Sequence, residues 1–320
     1  MKKFLVIQTA FIGDVILATA VVEKLKDYYP ESRIDFLLRK GNESLLINNP
    51  HIEEVLIWDK KSKKYDNLKS LSRTVKHEQY DVVVNLHRFS SSGLITAFSG
   101  AKEKLGFKKN PLSFSFTKKI PHVIGDGTHE VQRNQQLIAH LTDNDAAKPR
   151  LYPSNQDYEK VSDYKSGKYV CMAPTSVWFT KQLPREQWVK LIDKMDDRTA
   201  VYLLGGPADA AACEAIKAAS KHKKVENLSG KLSFLESAAL MQTASMNYVN
   251  DSAPLHIASA VNAPVTAYFC STIPAFGFTP LSDNATIVEV QERLDCRPCG
   301  LHGKKECPKG HFDCGYKIRI

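Results

Sequence analysis

The chain has 320 residues, of which 43% are hydrophobic, a size and composition typical of one large or two ordinary globular domains. No apolar run reaches the ~18 residues that a membrane-spanning helix needs, which argues against such a helix. The formal net charge of +9 is typical of a solvated basic surface, and an anionic partner such as a phosphorylated substrate, a membrane surface or nucleic acid is the alternative. No aromatic residues alternate with the lysines as a stacking platform for single-stranded nucleic acid would require, which makes nucleic acid the least favoured partner.

The first twenty residues, MKKFLVIQTAFIGDVILATA, admit two interpretations. A basic start, an apolar middle and Ala18-Thr19-Ala20 are typical of a secretory signal peptide. Alternatively, Phe4–Gln8 is a buried strand, followed by a tight loop and a helix that begins at Asp14. A carboxylate in an inserting apolar segment costs about 2.5–3.5 kcal/mol, and the helical spacing of apolar residues continues to Pro30. We therefore expect a strand, a loop and a helix in a cytoplasmic protein.

Short apolar strands alternate with helical patterns along the chain, and the polar stretch Asp143–Gly167 separates two such series. Continuous apolar strands spaced by helices indicate parallel sheets covered on both faces. We predict two doubly wound domains, residues 1–155 and 156–320, with ligands at the carboxyl ends of strands and in the cleft between the domains. The predicted strands are Phe4–Gln8, Ile34–Leu38, Glu54–Trp58, Asp81–Leu86 and Lys119–Val123, then Lys168–Met172, Ala200–Leu204, one near Val225, Asn247–Asn250 and Val265–Phe269.

The loop after the first strand runs from Thr9 to Asp14 and contains Gly13. Asp14 falls in the first helical turn, where the helix dipole favours a carboxylate, so a capping role is one interpretation. The other is a general base at the mouth of the cleft. No Gly-x-Gly-x-x-Gly pattern follows the strand, which argues against dinucleotide binding here.

Two loops of the second series carry polar groups suited to a nucleotide. Ala173–Pro184 contains Thr175, Ser176 and Lys181, and hydroxyls with an ammonium group can hold a phosphate, although exposed loops often contain such residues. The Gly205–Asp209 turn offers Asp209, which could accept a ribose hydroxyl or serve only as a helix-start charge.

The segment Asn250–Ala258 predicts a strand end followed by a helix whose free N–H groups form an anion site. Ser252 and Ala253 stand at the helix start. Asp251 would repel a phosphate, so we expect it to orient the loop or a sugar hydroxyl. His256 lies one turn further on, where a lone histidine usually has a structural role.

The C-terminal tail, residues 291–320, contains the pattern Cys296-x₂-Cys299-x₇-Cys307-x₆-Cys314. Four thiolates complete a tetrahedral set, so a structural zinc site is one prediction. Disulfides and free thiols are the alternatives, and a cytoplasmic protein rarely keeps disulfides. A zinc site would pin a tail that shows no core of its own, and we expect it to lie far from the chemistry.

Together these segments resemble glycosyltransferase family 9, the ADP-heptose:lipopolysaccharide heptosyltransferases, in order along nearly the whole chain. IGDVILATAVVEKLKDYYP is similar to the family's opening Gly-Asp segment, the Thr175–Pro184 loop to its phosphate-binding stretch, and LLGGPAD to its Gly-Gly turn. NDSAPLHIASAVNAPVTAYF resembles the motif Asn-Asp-Ser/Thr-Gly-Pro-x-His, with Ala253 in place of glycine. The tail resembles that of heptosyltransferase-II-like members, although the chain stops at Ile320, before a helix that many members have.

The resemblance implies a GT-B fold of two Rossmann-like domains facing a cleft, an N-terminal one for the acceptor and a C-terminal one for the nucleotide sugar. It implies inverting transfer of a heptose from an ADP-sugar to a phosphorylated lipid-linked saccharide, with no metal needed for transfer, at the inner face of the cytoplasmic membrane. The resemblance implies a role for each of these residues: Asp14 as base; Thr175, Ser176 and Lys181 at the diphosphate; Asp209, Asp251, Ser252, Ala253 and His256 in the donor site. Arg88 and Arg133 are candidate acceptor contacts.

Other functions remain compatible with these residues. The same fold could use another nucleotide sugar, because the sequence does not reveal the sugar. A non-catalytic nucleotide-binding module is a second alternative, which Asp14 disfavours. A zinc-containing nucleic-acid binder is a third, supported only by the charge and the cysteines.

Overall fold

The computed structural model describes residues 1–320, apart from the side chain of Lys64, and comprises two compact units. Unit 1 is Met1–Tyr152 and unit 2 is Pro153–Ile320. Each unit contains a six-stranded parallel sheet with helices between the strands. The prediction of two doubly wound α/β domains is confirmed, and the division falls at Pro153, inside the predicted linker.

Unit 1 has the strand order β3-β2-β1-β4-β5-β6. Its strands are β1 (Lys3–Ile7), β2 (Arg33–Arg39), β3 (Glu54–Trp58), β4 (Val82–Asn85), β5 (Glu103–Phe107) and β6 (Lys118–Ile120). Its helices are α1 (Ile12–Tyr28), α2 (Lys64–His77), α3 (Ser90–Phe98) and α4 (Glu130–Ile138).

Unit 2 repeats this order as β12-β11-β10-β7-β8-β9. Its strands are β7 (Tyr169–Ala173), β8 (Ala200–Leu203), β9 (Val225–Asn227), β10 (Asn247–Asn250), β11 (Val265–Phe269) and β12 (Ala285–Glu289). Its helices are α5 (Asn155–Lys160), α6 (Arg185–Asp193), α7 (Ala210–Ala219), α8 (Phe234–Gln242), α9 (Ala253–Ala260) and α10 (Asp313–Tyr316).

The first residues of the chain form the centre of unit 1. The β1 residues Phe4–Ile7 are fully buried, and β1 pairs in parallel with both β2 and β4. A strand buried on both faces needs a continuous apolar run, which is what the sequence supplies here. The strand–loop–helix interpretation of the first twenty residues is therefore confirmed. None of the helices described in the structure is long and apolar enough to cross a membrane.

Every predicted strand is present, and the structure adds two strands, β5 and β12, and two helices, α5 and the short α10. β5 lies in a stretch of the sequence that is rich in lysine. β12 is an edge strand whose first three residues are exposed, so it lacks the alternation of a half-buried strand. α5 lies within the predicted linker, where the backbone N–H of Ser154 donates to Asp157 Oδ2 at 2.7 Å in a capping box.

The end of the tail belongs to the core of unit 2. Phe312, Cys314 and Ile318 are buried among the apolar residues of β7, β8 and α6. The Gln187 Nε2 group of α6 donates to the carbonyls of Tyr316 and Ile318 at 2.8 and 2.7 Å. The tail has no separate core, and its last residues are held instead by apolar packing in the core of unit 2.

Candidate functional site

Asp14 lies in the first turn of α1, directly after the loop that leaves β1. The backbone N–H of Phe11 donates to Asp14 Oδ2 at 3.2 Å, so the capping contact is present. A carboxylate has about four lone-pair sites, and one amide does not occupy them all. The capping contact therefore leaves room for a second role of this half-buried side chain.

The surroundings of Asp14 make it a better base than an ordinary aspartate. Burial raises its pKa to about 6, and the negative charge of Glu130 adds to the rise. The Phe11 amide and the positive charge of Arg88 oppose it. A carboxylate with this pKa is mostly ionised at neutral pH and accepts a proton more readily than one near 4.

Glu130 is itself held in a buried network on α4. Its carboxylate lies 3.2 Å from His122 Nε2 and accepts a hydrogen bond from Arg133 Nε at 2.8 Å. Burial raises the pKa of Glu130, but His122 and Arg133 outweigh it and leave the pKa lowered. Arg133 is 2% exposed and also donates to the Thr128 carbonyl, so the structure places it as the partner of Glu130. A contact between Arg133 and an acceptor stays a prediction.

Lys60 and His87 contact Thr9, in the loop between β1 and Asp14. Lys60 donates to the Thr9 carbonyl at 2.7 Å, and His87 Nδ1 lies 3.1 Å from the Thr9 hydroxyl. Burial, with the charges of Lys60 and Arg88, lowers the pKa of His87 to about 3, so His87 is neutral at pH 7. Arg88 follows β4 and is half-buried. Sequence reasoning missed Lys60, His87 and Glu130, because their proximity depends on strand order.

In unit 2, the structure brings Lys181 and Asp251 together. Lys181 Nζ lies 2.7 Å from Asp251 Oδ2, and both side chains are mostly buried. The hydroxyl of Thr272 donates to the same oxygen at 2.6 Å. The sequence predicts that Asp251 orients the loop or a sugar hydroxyl. In the structure its carboxylate holds the ammonium group of Lys181. An ammonium has three donors, so Lys181 can bind a phosphate while it keeps this contact.

Asn250 fixes the loop that carries Lys181. Its Oδ1 accepts from the Leu183 N–H at 2.8 Å, and its Nδ2 donates to the carbonyls of Ala173 and Thr175 at 3.3 and 3.5 Å. The loop from β7 to α6 is therefore attached to the end of β10, and the half-buried Thr175 and Ser176 lie on it. Asn250 stood within the recognised motif, but its role as a bridge between two loops was not predicted.

The start of α9 lies beside this ion pair in the chain. Ser252 is its N-cap residue, Ala253 its first residue, and Pro254 is accommodated in its first turn. His256 is 5% exposed. The first amides of a helix lack intrahelical partners and point outward, which suits an anion.

Asp209 acts locally in the structure. Its Oδ2 accepts from the Gly206 N–H at 2.8 Å, the contact of a helix-start charge. A Cβ at Gly205 would lie 2.8 Å from Asp209 Cβ, so glycine is required for this turn. The predicted ribose contact of Asp209 remains a prediction.

The cysteine-rich tail lies against the Lys181 loop, not far from it. The N–H of Lys304 donates to the hydroxyl of Thr180 at 2.7 Å, and the N–H of Cys299 donates to the Ser271 carbonyl at 2.9 Å. The tail segment between Cys299 and Cys307 therefore contacts the loop that carries Lys181, and whether this is far from the chemistry depends on the proposed donor site. The contact forms because the tail folds back across the ends of β7 and β11.

The four tail cysteines are near one another without forming a closed metal cage. Cys299 and Cys307 contribute to the electrostatics of the buried Cys314, whose pKa burial raises to about 12. Cys296 Sγ lies 3.9 Å from His311 Nε2. Among the residues described, no three His, Cys, Asp or Glu side chains are arranged to hold one ion, and no disulfide is formed. The donor set suits a tetrahedral thiolate centre, but Cys314 packs into the core instead.

Comparisons with known proteins agree with this arrangement. Residues 68–309 match the model of glycosyltransferase family 9 (heptosyltransferase). The chain is 31% identical over 294 residues to lipopolysaccharide heptosyltransferase 3 of Escherichia coli strain K12, a match that covers 85% of this chain and 83% of that relative.

Two solved structures share the fold. The E. coli ADP-heptose lipopolysaccharide heptosyltransferase II gives a TM-score of 0.79 at 21% identity, with 93% of this chain and 96% of that chain covered. The E. coli heptosyltransferase WaaC with ADP gives a TM-score of 0.73 at 17% identity, with 89% and 92% covered.

The environment of Asp14 predicts a titration that carbon NMR can follow. The Asp14 carboxyl carbon should titrate with a midpoint near pH 6, because burial and Glu130 oppose its ionisation. Arg88→Met should raise this midpoint further, since it removes a positive charge that favours the carboxylate. Asp27, exposed at the other end of α1, serves as the internal reference. A midpoint near 4 for Asp14 would contradict this description of its surroundings.

Proposed function

The chain belongs to glycosyltransferase family 9, and we propose that it transfers a heptose from ADP-heptose to a lipid-linked acceptor sugar of the lipopolysaccharide core. It is a glycosyltransferase with the GT-B fold. The observation that carries the proposal is the buried Lys181–Asp251 pair beside the start of α9, because it places a fixed cation where a nucleoside diphosphate would bind.

Donor binding is assigned to unit 2. The E. coli heptosyltransferase WaaC, which shares this fold, has been solved with ADP. This supports ADP as the nucleotide of the donor. Lys181 and the first amides of α9 would contact the diphosphate, with Thr175 and Ser176 donating from the loop. Ala253 adds only a methyl group at the helix start, where the backbone N–H remains available.

Transfer requires charge stabilisation on the leaving group and removal of one proton. The acceptor hydroxyl attacks the anomeric carbon, and the bond from that carbon to the phosphate oxygen breaks. The electron pair goes to the diphosphate, which leaves with increased negative charge that Lys181 and the helix amides would stabilise. The hydroxyl proton goes to Asp14, whose raised pKa suits a base. Attack opposite to the leaving group inverts the anomeric centre.

Acceptor binding is assigned to unit 1. The charge of Arg88 acts on Asp14, and Lys60 binds the Thr9 carbonyl in the loop before it; both would supply positive charge for a phosphorylated saccharide. Arg133 would contribute through Glu130, whose carboxylate it holds.

The nucleotide assignment predicts the effect of removing Lys181. Lys181→Ala should weaken ADP binding by roughly 1.5–3 kcal/mol, the range for hydrogen bonds to charged groups, as measured by calorimetry. Lys223→Ala, on an exposed loop of the same unit, is the matched control and should bind ADP like the parent. UDP and GDP should bind more weakly than ADP. An unchanged ADP affinity in Lys181→Ala would remove Lys181 from the site.

Asp14→Asn separates the base from the cap. Asparagine caps helices well but cannot take a proton at neutral pH, so the fold should survive while turnover falls about 10²–10⁴-fold. Asp27→Asn removes the same charge from the same helix and should retain turnover. In the parent, kcat/KM should fall as pH decreases through about 6, where Asp14 becomes protonated. If Asp14→Asn keeps its turnover but melts at lower temperature, Asp14 is only a cap.

The proposal includes peripheral contact with an anionic membrane surface, where a lipid-linked acceptor resides. Its support is a basic patch on the loops after β5 and at β6, consisting of Lys108, Lys109, Lys118 and Lys119 beside the exposed Phe114. Each lysine near such a surface contributes about 1 kcal/mol. Removing Lys108, Lys109 and Lys119 together should abolish co-sedimentation with phosphatidylglycerol vesicles. The variant in which Lys221, Lys223 and Lys224 are replaced together is the control. Equal vesicle binding by both triple variants would show that this patch does not make the membrane contact.

A structural zinc ion at Cys296, Cys299, Cys307 and Cys314 is also proposed. Four thiolates select zinc or iron, and binding would require Cys314 to turn from the core toward the other three. Elemental analysis of protein purified without a metal-affinity tag should give about one zinc per chain. A value near zero, with four tail thiols reacting freely in the native protein, would contradict the proposal. A finding of iron instead of zinc would change the identity of the proposed metal but not its proposed ligands.

A further inference from the structure

The tail forms two sets of contacts with the loops around the Lys181–Asp251 pair. The first set involves the loop after β11, which contains Ser271 and Thr272. Arg297 Nη2 donates to the Thr272 carbonyl at 2.7 Å and to the Phe269 carbonyl at 3.1 Å. This fixes the residue whose hydroxyl holds Asp251.

The second set involves Thr180, the residue before Lys181. Its N–H donates to the Lys304 carbonyl at 3.1 Å, and its hydroxyl accepts from the Lys304 N–H at 2.7 Å. The Ser271 hydroxyl also donates to Thr180 Oγ1, at 2.9 Å. Thr180 is 1% exposed. The backbone directly before Lys181 is thus held to the tail by two hydrogen bonds between Thr180 and Lys304.

Gly303 lies directly against the stem of Lys181. A Cβ at Gly303 would lie 3.0 Å from Lys181 Cγ, 3.0 Å from Thr180 Oγ1 and 3.2 Å from Ser271 Oγ. These distances are shorter than ordinary contacts, so a neighbour would have to move. Thr180 and Ser271 are held by their mutual hydrogen bond, whereas Lys181 is held through its ammonium group at Asp251 and its stem can shift by rotation about the side-chain bonds. The displacement would therefore fall on Lys181.

We propose that Gly303 is a positioning residue for donor binding, through which the tail sets the direction of the Lys181 side chain. The absence of a Cβ at this position lets the lysine stem lie against the tail and aim its ammonium at Asp251 Oδ2. The tail therefore shapes the donor site as well as completing the core. This inference rests on the proposed role of Lys181 in binding the diphosphate.

Gly303→Ala and Gly310→Ala form a matched pair for the test. Both glycines have left-handed backbone, with φ of +75° and +74°, so alanine strains the chain equally at each. No atom lies within 4 Å of a Cβ placed at Gly310. Calorimetry should show ADP binding about 10-fold weaker in Gly303→Ala and unchanged in Gly310→Ala. Equal affinities in the two variants would overturn the proposal.

A double-mutant cycle with Lys181→Ala shows whether Gly303 acts through the lysine. If it does, Gly303→Ala should cause no further loss of ADP affinity once Lys181 is alanine. An undiminished, additive loss would mean that Gly303 supports the fold generally, and the proposal would fail. If Lys181→Ala alone leaves ADP affinity unchanged, the failure lies in the proposed donor site and not in the contact between Gly303 and the lysine stem.

A second pair of variants covers the case in which Gly303→Ala does not fold. Thr180→Val removes the hydroxyl that joins Lys304 and Ser271, whereas Thr180→Ser keeps it. The valine variant should weaken ADP binding by about 10-fold, and serine should restore most of it. Equal binding by valine and serine would count against positioning of Lys181 by the tail.

Discussion

The ion pair between Lys181 and Asp251 is the interaction on which the proposed donor site depends. A buried ammonium is unfavourable unless a carboxylate and hydrogen bonds compensate it, and here Asp251, itself held by Thr272, does so at 2.7 Å. Three segments of unit 2 meet at this pair: the loop after β7, the start of α9 and the loop after β11. Because Asn250 and the tail attach these segments to one another, the cation has a fixed position before any nucleotide arrives.

Asp14 and Asp251 show how surroundings give one residue type two roles. Asp251 faces a lysine and a hydroxyl donor, which occupy its carboxylate. Asp14 lies near Glu130 and has no lysine partner of this kind, and burial with the like charge raises its pKa to about 6 against the opposing amide hydrogen bonds and Arg88. The first arrangement keeps a negative charge in place to hold a cation, and the second keeps a proton acceptor available. The proposed transfer needs both.

The sequence predicted the parts of the fold that depend on local pattern. Apolar runs gave ten of the strands, including the central β1, because parallel strands buried on both faces have no polar interruptions. The strands β5 and β12 were missed, since one lies among lysines and the other is exposed. Motif resemblance selected Asp14, Lys181 and Asp251. It could not give the Asp251–Lys181 contact, the Glu130 network or the fold-back of the tail onto Thr180, which depend on residues far apart in the chain.

In the proposed donor site, Lys181 holds the diphosphate of the donor while Asp251 holds Lys181. A crystal structure of the chain with ADP would show whether this is so. We predict the diphosphate within hydrogen-bonding distance of Lys181 Nζ and the first amides of α9, with Asp251 still in contact with the lysine. A diphosphate bound elsewhere, with the 2.7 Å Lys181–Asp251 pair untouched by it, would contradict the account.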